Sequence, residues 1–254
     1  MLLHGLGHRR QAWRPVLGAL AAEHDVVAPD LPGFGGSAAP GARERYDIAW
    51  LVDTVALFCE RLGLERPHLA GNSLGGAIAL ELAARGFAAS VAAFSPIGFT
   101  TARENLGNRL LTLGMGAAAR VPEHVRVAMA SSPPARAVAR RVLRGDPKGQ
   151  GSRDLRFDAT VISAGSPFAR LAPEVAAYSF GTSAPTCPVT IGWGNRDRIL
   201  PPRAARRAAE HVGRARLVTL MDCGHVPMAD RPELVASVVL ETTRAAERTA
   251  PAPA

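Results

Sequence analysis

Ser73 stands in the stretch LAGNSLGGAI (69–78), with Gly71 two residues before it, Gly75 two after, and a third glycine at Gly76. The chemistry this spacing suggests is nucleophilic attack by a hydroxyl. A G-x-S-x-G match arises by chance in roughly one chain in ten of this length and composition, so context must decide. The context is suggestive: PHLAGN (67–72) has strand character and LGGAIALELAARG (74–86) is helical. A strand passing straight into a helix turns sharply, leaving the serine strained and pointing outward. Side chains at Gly71 and Gly75 would collide in such a turn. The helix start also brings partial positive charge toward an anion formed at the serine.

A hydroxyl is a poor nucleophile until a base takes its proton, and histidine, with an ordinary pKa of about 6.5, suits that task near neutral pH. His225 lies in DCGHVPMADRPE (222–233), where Gly224 and Pro227 make a turn able to aim a ring. Taken alone, this would read as a surface-loop histidine. The base needs a carboxylate to fix its tautomer and stabilise the imidazolium. Asp197, in GWGNRDRILPP (192–202), follows a strand end and is the first candidate. Asp222 is the rival, but it shares the histidine's own turn, which makes a good reach to the ring harder. IGFTTAR (97–103), after the preceding strand, offers no acid. For the negative charge that develops on a carbonyl oxygen, HGLG (4–7) supplies a glycine-flanked loop. The backbone N–H of Leu6, with that of Leu74 after the nucleophile, would form the oxyanion hole, each donor being worth about 3 kcal/mol of barrier. His4 is expected to shape this loop by hydrogen bonding.

The elements that must position these groups are short apolar runs alternating with helical patterns, the mark of a mostly parallel sheet flanked by helices. Strands are expected at MLLH (1–4), DVVAPD (25–30), PHLAGN (67–72), SVAAFSP (90–96), CPVTIGWG (187–194) and ARLVTLMD (215–222). Helices are expected at about 10–22, 47–63, 74–86, 203–211 and 231–246. In the second, Ile48, Leu51, Val52, Val55 and Phe58 recur at three- and four-residue steps, with Asp47 as N-cap and Gly63 as stop. Residues 99–184 break the alternation with Ala/Arg/Leu-rich helical pieces split by Pro and Gly. They read as an inserted helical lid between two parts of one core domain, 1–98 and 185–249, since a structureless loop of that size is improbable in a compact domain. The runs 105–116 and 121–130 have amphipathic character and could face a cleft; APAPA (250–254) reads as a disordered tail.

Composition narrows the class. A chain of 254 residues with 47% hydrophobic and 20% charged residues suits one soluble globular domain with an insertion. No apolar run is long enough to span a bilayer and no secretory leader is evident, so a cytoplasmic location is the default expectation. The three cysteines are widely spaced with no C-x-x-C, which argues against a disulfide framework or a zinc site. The net charge of +8 is almost all arginine, with Lys148 the only lysine. Those arginines alternate with Ala and Val at helical spacing, as on solvated faces, and aromatic residues for base stacking are scarce. Nucleic-acid binding is therefore not expected.

Together these residues resemble the α/β-hydrolase superfamily, in its serine-nucleophile, esterase- or lipase-like branch. The matching motifs are LLHGLG (2–7) with Trp13, PDLPGFGGS (29–37), GNSLGG (71–76), WGNRDRILP (193–201) and CGHVPM (223–228). Nucleophile, acid and histidine follow one another in the family's order. The resemblance implies the α/β-hydrolase fold, a Ser73/Asp197/His225 triad and no metal or organic cofactor. Members normally carry two further strands before the HG strand, on which this chain opens. DVVAPD would then lie at a bare sheet edge, so a start further upstream, or a truncated and weakened form, is expected. A serine rather than an aspartate nucleophile makes dehalogenase and epoxide hydrolase chemistry improbable.

The activity implied is hydrolysis of small, largely apolar carboxylic esters through an acyl-enzyme, with a small-molecule substrate. The runner-up is carbon–carbon bond hydrolysis of ring-cleavage diketones, whose enzymes usually place a tryptophan after the catalytic histidine, where Val226 stands. Acyl transfer and perhydrolysis are variants of the same chemistry. A ligand receptor or scaffold of the same fold is the non-enzymatic alternative.

Overall fold

A computed structural model of the chain describes residues 1–104, 114, 121–122, 124–125, 132–145, 167–181 and 183–249. The tail 250–254 lies outside these residues, as do most of the runs 105–116 and 121–130.

Among the described residues one five-stranded parallel sheet forms from β1 (Leu2–Leu3), β2 (His68–Asn72), β3 (Ser90–Phe94), β4 (Val189–Gly194) and β5 (Arg216–Leu220), in that spatial order. Register places Leu3 opposite Gly71, Gly71 opposite Ala93, Ala93 opposite Ile191 and Ile191 opposite Leu217. Because side chains alternate across a strand, β1, β2 and β3 each feed two cores, while β4 feeds the first and β5 the second. Leu3, Leu69, Val91, Ala93 and Ile191 face one core. Leu2, Ala70, Ala92, Phe94 and Leu220 face the other.

Helices cover both faces. The α1 (Arg14–Ala21) residues Val16 and Leu20 join the second core. The first core takes residues from α2 (Ile48–Arg61) and α3 (Leu74–Ala84). Helix α2 starts where Asp47 Oδ1 accepts the Trp50 N–H at 2.8 Å, and Gly63 follows its end at φ +65°. Helix α3 is buried nearly all round, including Leu74 to Ala83, as its run of apolar residues and glycines requires; the one charged residue, Glu81, accepts from the Tyr178 hydroxyl. Between β3 and β4 lie α4 (Pro133–Leu143) and α5 (Phe168–Ala177). The stretch leaves and re-enters the core at one place: Phe180 N donates to Gly98 O at 3.2 Å, and the Phe99 and Phe180 rings sit 5.4 Å apart. The chain continues through α6 (Ala204–Val212), a short α7 (Pro227–Asp230) and α8 (Pro232–Glu247).

One expected strand is not formed. Residues 25–30 run beside β1 without strand pairing, joined to it by Leu2 N donating to Val27 O at 2.8 Å. One bond is too little for a ladder: β1 pairs in register with β2 on its other side, and among the described residues no second backbone bond joins it to 25–30. The end of this segment is fixed by its carboxylate instead. Asp30 accepts from Arg10 N at 2.7 Å and from Gly36 N at 2.9 Å, folding PDLPGFGGS against the turn at 10–13.

Candidate active site

Ser73 links β2 to α3 with φ 55° and ψ −114°, a backbone region that side-chain-bearing residues rarely occupy. Sterics of the turn explain its glycines. A Cβ on Gly71 would stand 2.2 Å from Gly75 O, and one on Gly75 would stand 2.2 Å from Leu3 O. Strand, turn and helix meet too closely at both positions for any other residue type. The same crowding brings the HGLG loop onto the serine, since a Cβ on Gly5 would lie 3.3 Å from Ser73 Cβ.

That loop is set by His4, which is fully buried. Leu31 N donates to His4 Nε2 at 2.9 Å, so the proton resides on Nδ1, which donates to Gly5 O at 2.8 Å. Burial pushes the His4 pKa down to about 4, and the ring stays neutral at pH 7. Neither the Leu6 N–H nor the Leu74 N–H has a hydrogen-bond acceptor among the described residues. Leu6 follows Gly5, which packs on Ser73, and Leu74 opens α3 directly after the serine.

Asp197 and His225 are in contact. His225 Nδ1 donates to Asp197 Oδ2 at 2.8 Å, with both side chains buried. The other carboxylate oxygen, Oδ1, accepts the N–H groups of Ile199 and Leu200, each at 2.9 Å. Those bonds hold the acid in place and leave Oδ2 for the ring. The loop carrying Asp197 is tied to the histidine turn by Arg196 N donating to Cys223 O at 2.9 Å. Asp222 faces elsewhere: its carboxylate pairs with Arg196 at 2.6 Å and Arg231 at 3.8 Å, about half exposed.

The histidine turn meets the serine turn through Asn72, whose side-chain amide donates to Phe94 O at 3.1 Å and to His225 O at 3.0 Å. Asn72 therefore links the residue before Ser73 to the backbone of His225. Among the described residues the Ser73 hydroxyl itself has no hydrogen-bond partner, His225 included.

Further groups near the imidazole were not singled out in the sequence. His8 has its pKa pushed down to about 4, by burial first and then by the nearby charges of Arg144, His225 and Arg9. Asp230 accepts from Gly224 N, next to His225. Sequence offered one clue to Asp230, a carboxylate five residues after a glycine–histidine turn. For Asn72 the clue was a polar side chain at the buried end of a strand. Among the described residues no group of three or more His, Cys, Asp or Glu side chains is arranged to hold a metal ion, and no helix is long and apolar enough to cross a membrane.

The family model described as "Alpha/beta hydrolase family" matches residues 1–238. An uncharacterised protein of Mycobacterium bovis is 28% identical over 270 residues, covering 97% of this chain and 76% of its own. The solved structure of a membrane phospholipase A, described as a bacterial virulence factor, superposes with TM-score 0.75 at 28% identity, over 96% of this chain and 78% of that one. That of 2-hydroxy-6-oxo-6-phenylhexa-2,4-dienoate hydrolase from Rhodococcus sp. strain RHA1 superposes with TM-score 0.71 at 27% identity, over 96% and 89%.

Proposed function

The chain belongs to the alpha/beta hydrolase family, and from that premise we propose that it is a serine hydrolase cleaving small, largely apolar carboxylic esters through an acyl-enzyme. The observation that carries this reading is the buried 2.8 Å pair of His225 Nδ1 and Asp197 Oδ2, on a turn that Asn72 joins to the strained Ser73. The pair puts the ring proton on Nδ1 and leaves Nε2 as the base.

Ser73 Oγ bonds to the ester carbonyl carbon while its proton passes to His225 Nε2. The carbonyl oxygen becomes an oxyanion held by the N–H groups of Leu6 and Leu74. His225 then gives that proton to the departing alkoxide, which leaves as alcohol. Water repeats the sequence from the other side: His225 takes its proton, hydroxide adds to the acyl carbon, and Ser73 Oγ departs with the proton returned. Asp197 stabilises the imidazolium in both halves. Proton-transfer contacts of this kind commonly tighten only as substrate binds, which fits a Ser73 hydroxyl without a partner. The lid role expected for the β3–β4 stretch would have it select the acyl and alcohol parts; its described helices are α4 and α5. The phospholipase A likeness supports ester chemistry.

A second reading, hydrolysis of a carbon–carbon bond in ring-cleavage diketones, is favoured by the likeness to the dienoate hydrolase. One experiment separates the two. A p-nitrophenyl ester chain-length series is run beside a coloured ring-cleavage dienone, with wild type and Ser73→Ala. The ester reading expects turnover of short esters that Ser73→Ala abolishes. Turnover of the dienone without ester turnover would reverse the assignment.

A further inference from the structure

His225 is aimed by two kinds of contact. Asp197 orients the ring; something must also fix the backbone from which the ring projects. Backbone bonds on both sides of the residue do so. His225 N donates to Leu143 O at 3.1 Å, and His225 O accepts from Asn72 at 3.0 Å. Leu143 ends helix α4, in the β3–β4 stretch, so the chain that leaves this helix is packed directly on the histidine turn. The packing is close. A Cβ on Gly145 would stand 2.1 Å from Asp222 O, and one on Gly224 would stand 2.6 Å from the carbonyl carbon of Arg144.

One carboxylate spans this junction. Asp230 Oδ2 accepts Gly224 N at 2.8 Å and Gly145 N at 2.9 Å, one donor from each of the two apposed segments. Asp230 Oδ1 lies 4.0 Å from Arg144 Nη1, and the two side chains are only 5% and 7% exposed. Arg196 Nη1 adds a bond to Gly145 O at 3.0 Å from the loop that carries Asp197. Charge-assisted bonds to backbone N–H groups are roughly twice as strong as neutral ones, and burial shields them from water.

We propose that Asp230 is a positioning residue for His225, holding the histidine turn against the end of α4 so that the imidazole keeps its line to Ser73. The catalytic consequence rests on the serine-hydrolase reading; the clamp itself does not. Asp230 touches none of the reacting atoms and acts through the backbone of Gly224. Its loss should therefore lower the rate per site more than it weakens substrate binding.

The test uses Asp230→Ala and Asp230→Asn in the full chain, with two independent readouts. Hydrogen–deuterium exchange reports protection of the segments around 143–145 and 223–225, with α3 as internal reference. Fluorophosphonate titration counts competent sites, so that kcat is expressed per site beside KM for a short-chain ester. The clamp predicts faster exchange in both segments with α3 unchanged, kcat per site down at least tenfold, and KM within twofold. Asparagine should give a smaller loss. Its single acceptor oxygen can serve the two N–H groups or face Arg144, not both, so it also carries the test should alanine fail to fold. Unchanged exchange in both segments would overturn the clamp. Faster exchange with kcat per site within twofold of wild type would overturn the positioning role. If the wild type itself shows no Ser73-dependent turnover, the hydrolase reading fails, while the exchange readout still decides whether Asp230 clamps the turn.

Discussion

Replacing Asp197 by asparagine tests the proposed base most sharply, because the change is nearly isosteric and the surrounding bonds dictate its outcome. In the wild type Oδ1 accepts two backbone N–H groups at 2.9 Å each, while Oδ2 takes the His225 Nδ1 proton at 2.8 Å. An asparagine oxygen would stay with the two N–H groups and place its NH2 against Nδ1. An NH2 only donates, so Nδ1 would become the acceptor and the ring proton would move to Nε2, the atom that must accept from Ser73. The active tautomer would require flipping the amide, which leaves both buried N–H groups unsatisfied at about 1–3 kcal/mol each. The flipped form is thus disfavoured by roughly 2–6 kcal/mol, or about 30-fold to 10⁴-fold, at 1.4 kcal/mol per factor of ten. Lost stabilisation of the imidazolium adds to that, so kcat/KM on a short-chain p-nitrophenyl ester should fall by about 10²–10⁴. The melting temperature should move little. Ser73→Ala sets the floor of the assay, and mass spectrometry excludes deamidation back to aspartate. A folded Asp197→Asn protein within tenfold of wild type would refute this account of the base.

Ser73→Gly should abolish turnover and fluorophosphonate labelling while raising the urea midpoint by roughly 1 kcal/mol equivalent, because glycine accepts φ 55° without strain. Lower stability in this variant would contradict the strained-turn argument. Gly75→Ala, whose Cβ meets backbone rather than a movable side chain, should cost about 3 kcal/mol or more and lower the melting temperature by about 6 °C or more. Stability should also fall in acid. His4 is held neutral with a pKa of about 4 against 6.5 unfolded, so the unfolded chain binds its proton first. The stability from His4 is complete above pH 6.5 and is lost as pH drops toward 4. It amounts to roughly 3 kcal/mol over that window. Urea titrations across pH should show that slope; His4→Gln should remove the His4 share of it, leaving that of His8, which is also pushed down to about 4.

Much of the site is visible in linear sequence because its parts are punctuated. The glycines around Ser73, the strand before them and the helix after them signal a turn whose close contacts leave no other local solution. Asp47 and Gly63 likewise bracket α2 through capping and left-handed backbone, which are properties of single residues. Residues 25–30 show the opposite case. Their Val-rich run has strand propensity, yet a ladder needs repeated backbone bonds in register, and one bond, from Leu2 N to Val27 O, joins this run to β1. Propensity cannot report that shortage. Asp230 was hidden for a related reason. Its bonds to two segments exist only because Gly145, 85 positions away in sequence, arrives within hydrogen-bond reach. The rivalry between Asp197 and Asp222 was partly legible from reach alone; the arginines that draw Asp222 outward were not.

The 3.2 Å bond between Phe180 N and Gly98 O brings the two ends of the β3–β4 stretch together beside a sheet whose strands stay parallel neighbours across the gap, while α5 sends Phe168, Leu171, Ala172 and Val175 into the first core. A short join of 98 to 180 would close the gap in the chain but strip those four side chains from the core they share with α2 and α3. An exchanged stretch would have to refill that core before it could alter selectivity at the proposed site. It would also have to bring its own partner for the Asp230 carboxylate, or, on the proposed positioning role, the exchange would alter rate as well as choice of substrate.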